Sequence, residues 1–274
     1  MECKKALKQA NGDIDSAIEI MRKSGAAKAS KKAGRIAAEG IVDIKIDKDN
    51  KTAIIIEVNS ETDFVTKTQN FIDFVNKLSS LALKTKPSSI EDFLTQKLEN
   101  DIDINEAKEE IIANVGENIA IRRVKTITGN NNEHIGHYKH GHKIAVLALL
   151  EGGDSNIAKD IAMHIAASNP ECINEEQLPK ELLEKEKEIF FEQAKKSGKP
   201  DNIIEKMIVG RLKKFVKDTT LYGQSFIKNP EISVADLLNS NNAKVKLFIR
   251  FEVGEGIDKK TENFSQEVMA QARL

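Results

Sequence analysis

Two periods alternate along this chain. From Cys3 to Met21 the apolar positions recur every three to four residues, with Cys3, Ala6, Leu7 and Ala10 on one face and Ile14, Ala17, Ile18 and Met21 on another. That is the spacing of two amphipathic helices. Asn11-Gly12 between them tolerates the left-handed conformation in which a helix stops. Asp13 is placed to cap the second helix by accepting from its free amides, and Ser24-Gly25 reads as that helix's end. Two such short helices cannot bury both apolar faces alone. The block therefore reads as part of a three-helix module whose first helix is absent from this sequence. "AAKASKKAG", residues 26–34, is either a short helical connector or a flexible linker.

At Ile41 the period changes to two. Val42, Ile44 and Ile46 alternate with Asp43 and Lys45, residues 47–50 read as a turn, and residues 52–59 are apolar almost throughout. This is a β-hairpin whose second strand is buried on both faces. Phe71, Phe74, Val75, Leu78, Leu81 and Ala82 mark an amphipathic helix. A Lys/Pro/Ser break at 84–89 precedes a more polar helical region over roughly 90–114, and "NIAIRRVKTI", residues 118–127, is β again.

The second half follows the same order. Residues 135–140 and 142–151 form a hairpin with an apolar second strand, Ile157, Ala158, Ile161 and Ile165 form a helical face ended by Pro170, a long helical insertion follows, and "VKLFIRFEV", residues 245–253, closes as a strand. Within the insertion, residues 181–197 carry a stripe through Leu182, Ile189 and Phe190, and the return stripe runs through Ile204, Met207, Ile208, Leu212 and Phe215. Gly198 ends the first of these helices, Pro200 prevents its resumption and Asp201 can cap the second. The predicted fold class is α+β: two duplicated subdomains of antiparallel sheet plus helices, with a projecting helical hairpin. The expected boundaries are 1–25 for the partial N-terminal module, 26–39 for a linker, and 40–128 and 129–253 for the two core subdomains. The second subdomain carries the helical hairpin at 180–218, and 254–274 forms a C-terminal helical module.

Composition narrows the function. The 274 residues suffice for one large or two ordinary domains, and 42 basic against 43 acidic residues leave a net charge of −1. That balance argues against a general nucleic-acid or anionic-membrane binder and leaves room for a local basic patch. No apolar run approaches the roughly 20 residues of a membrane span, and no basic-then-apolar leader opens the sequence. Two cysteines, Cys3 and Cys172, are too few for a disulfide framework. The reading is a cytoplasmic protein with an aliphatic core and no cofactor.

Three stretches are candidates for chemistry. Four of the five histidines lie in "HIGHYKHGH", as His134, His137, His140 and His142. Strand parity sets His134, His140 and His142 against His137, and only Glu133 stands beside them, so the convergence that a metal requires is incomplete. A metal-dependent enzyme built on His134–His142 is the alternative function. His164, on the apolar side of its helix, reads as a core histidine. The glycines at Gly116 and Gly254 lack the spacing of a phosphate-binding loop, and their acidic neighbours would repel phosphate. No pattern of a nucleophile with its base appears, so no enzyme is expected from the residues. The third stretch, "NSETDFVTKTQNF" at residues 59–71, sets Asp63-Phe64 in a connection between strand and helix. Either Thr62 or Asp63 caps the following helix with Phe64 folded back as a hydrophobic staple, or Phe64 is an exposed wedge for a partner with the carboxylate beside it.

Seven pieces taken together decide between these. "CKKALKQANGDIDSAIEIMRKSGAAKASKKAG", "EVNSETDFV", "GENIAIRRV", "IAMHIAAS", "SGKP", "MIVGRLKKF" and "FIRFEVGEG" resemble, in order and over essentially the whole chain, the bacterial elongation factor Ts family. Thr62-Asp63-Phe64-Val65 is the most specific match. The resemblance implies a guanine-nucleotide exchange factor that binds elongation factor Tu and promotes release of its GDP. It implies that Phe64, with Asp63 beside it, enters between helices of Tu and disturbs the Mg²⁺ and phosphate site. It implies further Tu contacts at Lys32, at Val115-Gly116 and at His140-Gly141, on a shared face, and a C-terminal helix at about 261–272 packed on the same partner. The opening block would be the second and third helices of a ubiquitin-associated-like module, and the projecting hairpin a coiled coil. Family members begin with one further helix, so the module is expected to be incomplete, through a late start or a truncation, and Tu binding to be weaker than in a longer version. A second copy, paired through the core or the helical hairpin, is a further candidate partner. Direct binding to nucleic acid or membrane is not expected, and a scaffold without exchange activity is the remaining alternative.

Overall fold

A computed structural model describes residues 2–196 and 200–258. The helix expected at 261–272 and the turn expected at Gly198 lie outside the described residues. The chain divides into two compact units, Met1–Asp43 with Ile56–Lys125 and Glu252–Leu274, and Ile44–Ile55 with Thr126–Phe251.

In the first unit α1 (Glu2–Gln9) and α2 (Ile14–Lys32) are joined through Asn11 and Gly12, both at positive φ. Asp13 caps α2 by accepting from the Ser16 amide at 2.7 Å. The expected stop at Ser24-Gly25 is not there: α2 runs on to Lys32, so the connector is helical. Packing overrides the glycine's cost of about 1 kcal/mol in a helix. Gly25 faces α5 (Ile104–Val115), where an added Cβ would sit 3.7 Å from that of Ala113, and Arg22 pairs with Glu106 at 3.0 Å.

β1 (Glu39–Ile46), β2 (Thr52–Ser60) and β3 (Ile119–Thr128) form a three-stranded sheet in that order. All nine residues of the middle strand β2 are buried, as its apolar run requires. One of them is charged. The fully buried Glu57 accepts from the Gly254 amide at 2.8 Å, from Asn59 at 3.0 Å, and from the guanidinium groups of Arg122 and Arg123 on β3. Burial pushes the Glu57 carboxyl up, but the Gly254 amide, Asn59 and Arg123 together outweigh it and hold it below its ordinary value. α3 (Gln69–Thr85) buries Phe71, Phe74, Val75 and Leu78. The polar helical region expected over 90–114 is made of two helices, α4 (Ile90–Leu94) and α5, separated by a stretch in which Asn100 and Asp101 take left-handed backbone.

In the second unit β4 (Glu133–His140) pairs antiparallel with β5 (Ile144–Gly152), and β8 (Ala243–Glu252) lies on the other side of β5. This is the same strand order as in the first sheet: a hairpin with a later strand against its second member. The apolar stretch of β5 packs on α6 (Ser155–Ser168) in a core of Val146, Ala148, Leu150, Ala158, Ile161, Ile165, Leu221 and Leu238. Asp154 caps α6, and Asn169 in the left-handed region ends it just before Pro170. Two helices follow, α7 (Lys180–Lys195) and α8 (Asp201–Thr219). They pack on each other through Ala194, Ile204 and Ile208, with Phe190 and Leu212 at the margin. Asp201 is the first residue of α8 and not its cap; that place belongs to Pro200. The short strands β6 (Ser225–Phe226) and β7 (Asn229–Ser233) and the helix α9 (Val234–Ser240) then lead to β8, where only insertion was expected. No helix among the described residues is long and apolar enough to cross a membrane.

Candidate functional site

Between the last residue of β2 and α3 the chain turns through residues 61–68. Neither Thr62 nor Asp63 caps α3, whose N-terminal flank is Thr68, and Phe64 does not fold back as a staple. Instead Val65–Lys67 form a single 3₁₀ turn in which Val65 and Thr66 are buried. The Thr66 hydroxyl donates to the Asp63 carbonyl at 2.6 Å and so closes the turn. Phe64, just before it, is 75% exposed. Its backbone lies in the ordinary right-handed region (φ −64°, ψ −41°), so the ring is held outward without strain.

Beside the ring, Lys67 spans two partners. Its Nζ lies 2.7 Å from Asp63 Oδ2 and 5.5 Å from the Phe64 ring centroid. Both interactions are surface contacts worth about 1 kcal/mol or less each, weak enough for a partner to displace.

The other side of the loop is clamped. The Ser60 hydroxyl donates to the Thr62 carbonyl at 2.9 Å. Thr62 donates its amide and its hydroxyl to the two carboxylate oxygens of Glu117, at 2.9 and 2.6 Å. In return the Asn118 amide donates to Glu61 at 2.6 Å. Arg35 reaches Glu61 at 3.4 Å, and the Asn118 side chain donates to the Arg35 carbonyl at 2.7 Å. The Lys32 ammonium donates to the Gly116 carbonyl. Of the residues singled out from the sequence, Lys32, Thr62, Asp63, Phe64, Val65, Val115 and Gly116 thus belong to one set of linked segments of the first unit. Within that set Val65 is buried and serves as an anchor, Val115 ends α5, and Gly116 takes the left-handed conformation that stops it. Glu61, Glu117 and Asn118 were not foreseen as site residues. The signal for them was present: each of the two segments carries a Glu followed by a small polar residue, Glu61-Thr62 and Glu117-Asn118.

His140 belongs to the second unit, exposed at the end of β4 opposite Ile144. His134 stands opposite Leu150 and His137 opposite Leu147, while His142 lies in the turn and not on a strand. Glu133 is already committed: it accepts from Lys246 at 2.5 Å and from the Asn130 amide at 2.7 Å, which hold its carboxyl below the ordinary value. Among the described residues no group of three or more His, Cys, Asp or Glu is arranged to hold a metal ion. His164 is a buried core residue whose Nδ1 accepts from the Ile227 amide at 3.2 Å and whose Nε2 faces Gln224 at 2.9 Å.

A sequence profile of the family described as Elongation factor TS matches residues 61–255 of the chain, the span that opens at this loop. The chain belongs to the elongation factor Ts family. It is 63% identical over 271 residues to an elongation factor Ts of Ruthia magnifica subsp. Calyptogena magnifica, an alignment covering 99% of this chain and 91% of that protein. It is 51% identical over 273 residues to that of Alkalilimnicola ehrlichii and 50% identical over 273 residues to that of Legionella pneumophila strain Lens. Each of those alignments covers all of this chain and 93% of the relative. These elongation factor Ts sequences extend the family assignment beyond the profile to the N-terminal helices α1 and α2.

Proposed function

We propose that this chain is a guanine-nucleotide exchange factor, binding elongation factor Tu and promoting GDP release during translation elongation. The observation that carries the reading is Phe64: a large aromatic ring three-quarters exposed, on a backbone pinned on both sides. Aromatic anchors of that kind dominate protein interfaces, and a pinned backbone leaves little freedom to be lost on docking.

In this reading Phe64 enters between helices of Tu, with Asp63 beside it for directional hydrogen bonds. The groups that hold the Mg²⁺ and the phosphates are displaced. By linkage, bound GDP weakens the wedge's binding by the factor by which the wedge weakens GDP's. GDP therefore leaves from a transient ternary complex, the empty site refills with nucleotide, and the exchange factor departs. No covalent step is needed. Val115, Gly116 and His140 supply further contacts. Lys32, whose ammonium is spent on Gly116, acts first as a strut for that segment.

The finer organisation belongs to the same proposal. The shared strand order of the two sheets supports an internal duplication into subdomains at 40–128 and 129–253. The mutual packing of α7 and α8 supports a coiled-coil arm that serves as a contact surface for Tu or for a second copy. α1 and α2 serve as part of a ubiquitin-associated-like module, joined to the core after Lys32. The site of action is the cytoplasm. The test is release of a fluorescent GDP analogue from Tu: strong acceleration by this chain is expected, with most of it lost in Phe64→Ala. No acceleration, either by this chain or by a version extended at its N-terminus, overturns the proposal.

A further inference from the structure

The Phe64 ring has little of its own to hold it. Its side chain is three-quarters exposed, and its neighbour Lys67 is itself a surface residue. The direction of the ring is therefore set by the backbone on either side. On one side the buried Val65 and the Thr66–Asp63 hydrogen bond anchor the turn. On the other the anchor is Thr62, and both of its donors end on one carboxylate, Glu117, fifty-five residues away in sequence. Glu117 is half-buried and stands on the short link from α5 to β3, beside Gly116, whose carbonyl is tied to Lys32. The carboxylate is the only acceptor type that can take an amide and a hydroxyl at once on separate oxygens while satisfying both strongly.

We propose that Glu117 is a positioning residue for Phe64. Its bidentate grip on Thr62 fixes the two-residue lead to the ring, so that Phe64 is presented to Tu without reorganisation of the loop. The reciprocal Glu61–Asn118 amide bond keeps the two segments in register. Glu117 acts through Thr62 and not by touching the partner. The inference rests on the exchange reading, and it differs from it in making a residue outside the Thr62–Val65 motif decide how well that motif works.

Two measurements test it. In the free chain, amide hydrogen exchange at Thr62 reads the grip alone. Protection is expected in the wild type, lost in Glu117→Ala, and kept in Glu117→Gln, because the glutamine oxygen still accepts from the amide while its NH₂ donates to a rotated Thr62 hydroxyl. In the GDP-release assay, Glu117→Ala is expected to lower the acceleration about tenfold or more, with Glu117→Gln recovering most of it. On a Phe64→Ala background Glu117→Ala should add nothing. A further loss on that background would mean that Glu117 contacts Tu itself, and would overturn the positioning role. Lost Thr62 protection with undiminished release would also overturn it, while leaving the exchange reading intact. Undiminished release in Phe64→Ala would instead sink the wedge reading, and this inference with it. Thr62→Val, which removes only the hydroxyl donor, guards against a fold defect in Glu117→Ala: partial loss is expected, and full activity counts against the proposal.

Discussion

Glu57→Gln replaces one carboxylate oxygen by an amide nitrogen, and the structure says what that does. All of the carboxylate's partners are donors. The oxygen Oε1 takes the Gly254 amide at 2.8 Å, Asn59 at 3.0 Å and Arg122 at 3.2 Å, and Oε2 takes Arg123 and, at 3.3 Å, Arg122 again. Glutamine offers one acceptor oxygen. If it sits in the Oε1 position, the NH₂ faces the Arg123 guanidinium; if it is flipped, the NH₂ faces the Gly254 amide. Removing one partner of a buried charge pair costs about 3–5 kcal/mol. Here the two arginine side chains keep 28% and 26% of their surface in water and can hydrate, so we expect the lower end, about 3 kcal/mol.

The assay is urea unfolding followed by far-UV circular dichroism, since the chain has no tryptophan, together with hydrogen exchange at Gly254. The Glu57 carboxyl is held below its ordinary value near 4.5. Its stabilisation is therefore complete above that pH and is lost as the pH falls through the folded value. The gap between wild type and Glu57→Gln should accordingly narrow in acid. A loss under about 1 kcal/mol with Gly254 still protected would refute the account of this cluster, because that falls within the ordinary range of surface substitutions. A gap that stays constant into strong acid would refute the charge as its cause.

Phe64→Ala should leave stability within about 1 kcal/mol, because only a quarter of the ring's surface is covered in the free chain. The roughly 150 Å² still open is worth about 4 kcal/mol on docking, so stimulated GDP release should fall by about 10²–10³-fold. Gly136→Ala should lower the unfolding midpoint by the equivalent of about 3 kcal/mol, the upper end for overpacking. A Cβ there would overlap the Ala158 carbonyl of α6, so an unchanged thermal midpoint would contradict the close approach of β4 and α6. Burial pushes the His164 imidazole below its ordinary value of 6.5, against the pull of Gln224. Between those two values the unfolded chain binds the extra proton, so stability should fall as pH drops below about 6.5. In chemical denaturation across pH 5–8, His164→Gln should lose that slope, and an unchanged slope would exclude His164 as its source.

Much of the architecture was legible because it depends on neighbours in sequence. The strand over Ile41–Ile46, the apolar run of β2, the Phe71–Leu78 face of α3, the Asn11-Gly12 stop and the Asp13 cap are all local relations, and each element stands where its pattern put it; within that strand, however, burial does not alternate, and Asp43 is buried, accepting from Ser79 at 2.7 Å. One misjudged helix end depended on a remote partner. Gly25 reads as a helix end until α5 lies against it.

The candidate site divides in the same way. Thr62-Asp63-Phe64-Val65 could be picked out as a motif, since an aromatic in a polar connection is visible in one dimension. Whether Phe64 folded back or stood out could not be read from pattern alone, because both outcomes suit the same residues. The tertiary structure decided it by closing a 3₁₀ turn on Val65 and Thr66 and by bringing Glu117 onto Thr62. Glu117 by itself reads only as an acidic neighbour of a glycine, and Glu57 only as an interruption in a run of β-formers. By itself the sequence determined periodicity, the Asp13 cap, the Asn11-Gly12 stop and the family motif, since these are set by residues a few positions apart. Which charges are buried, what they hold and which way the exposed ring faces were decided only in three dimensions, where segments more than fifty residues apart supply each other's hydrogen-bond acceptors.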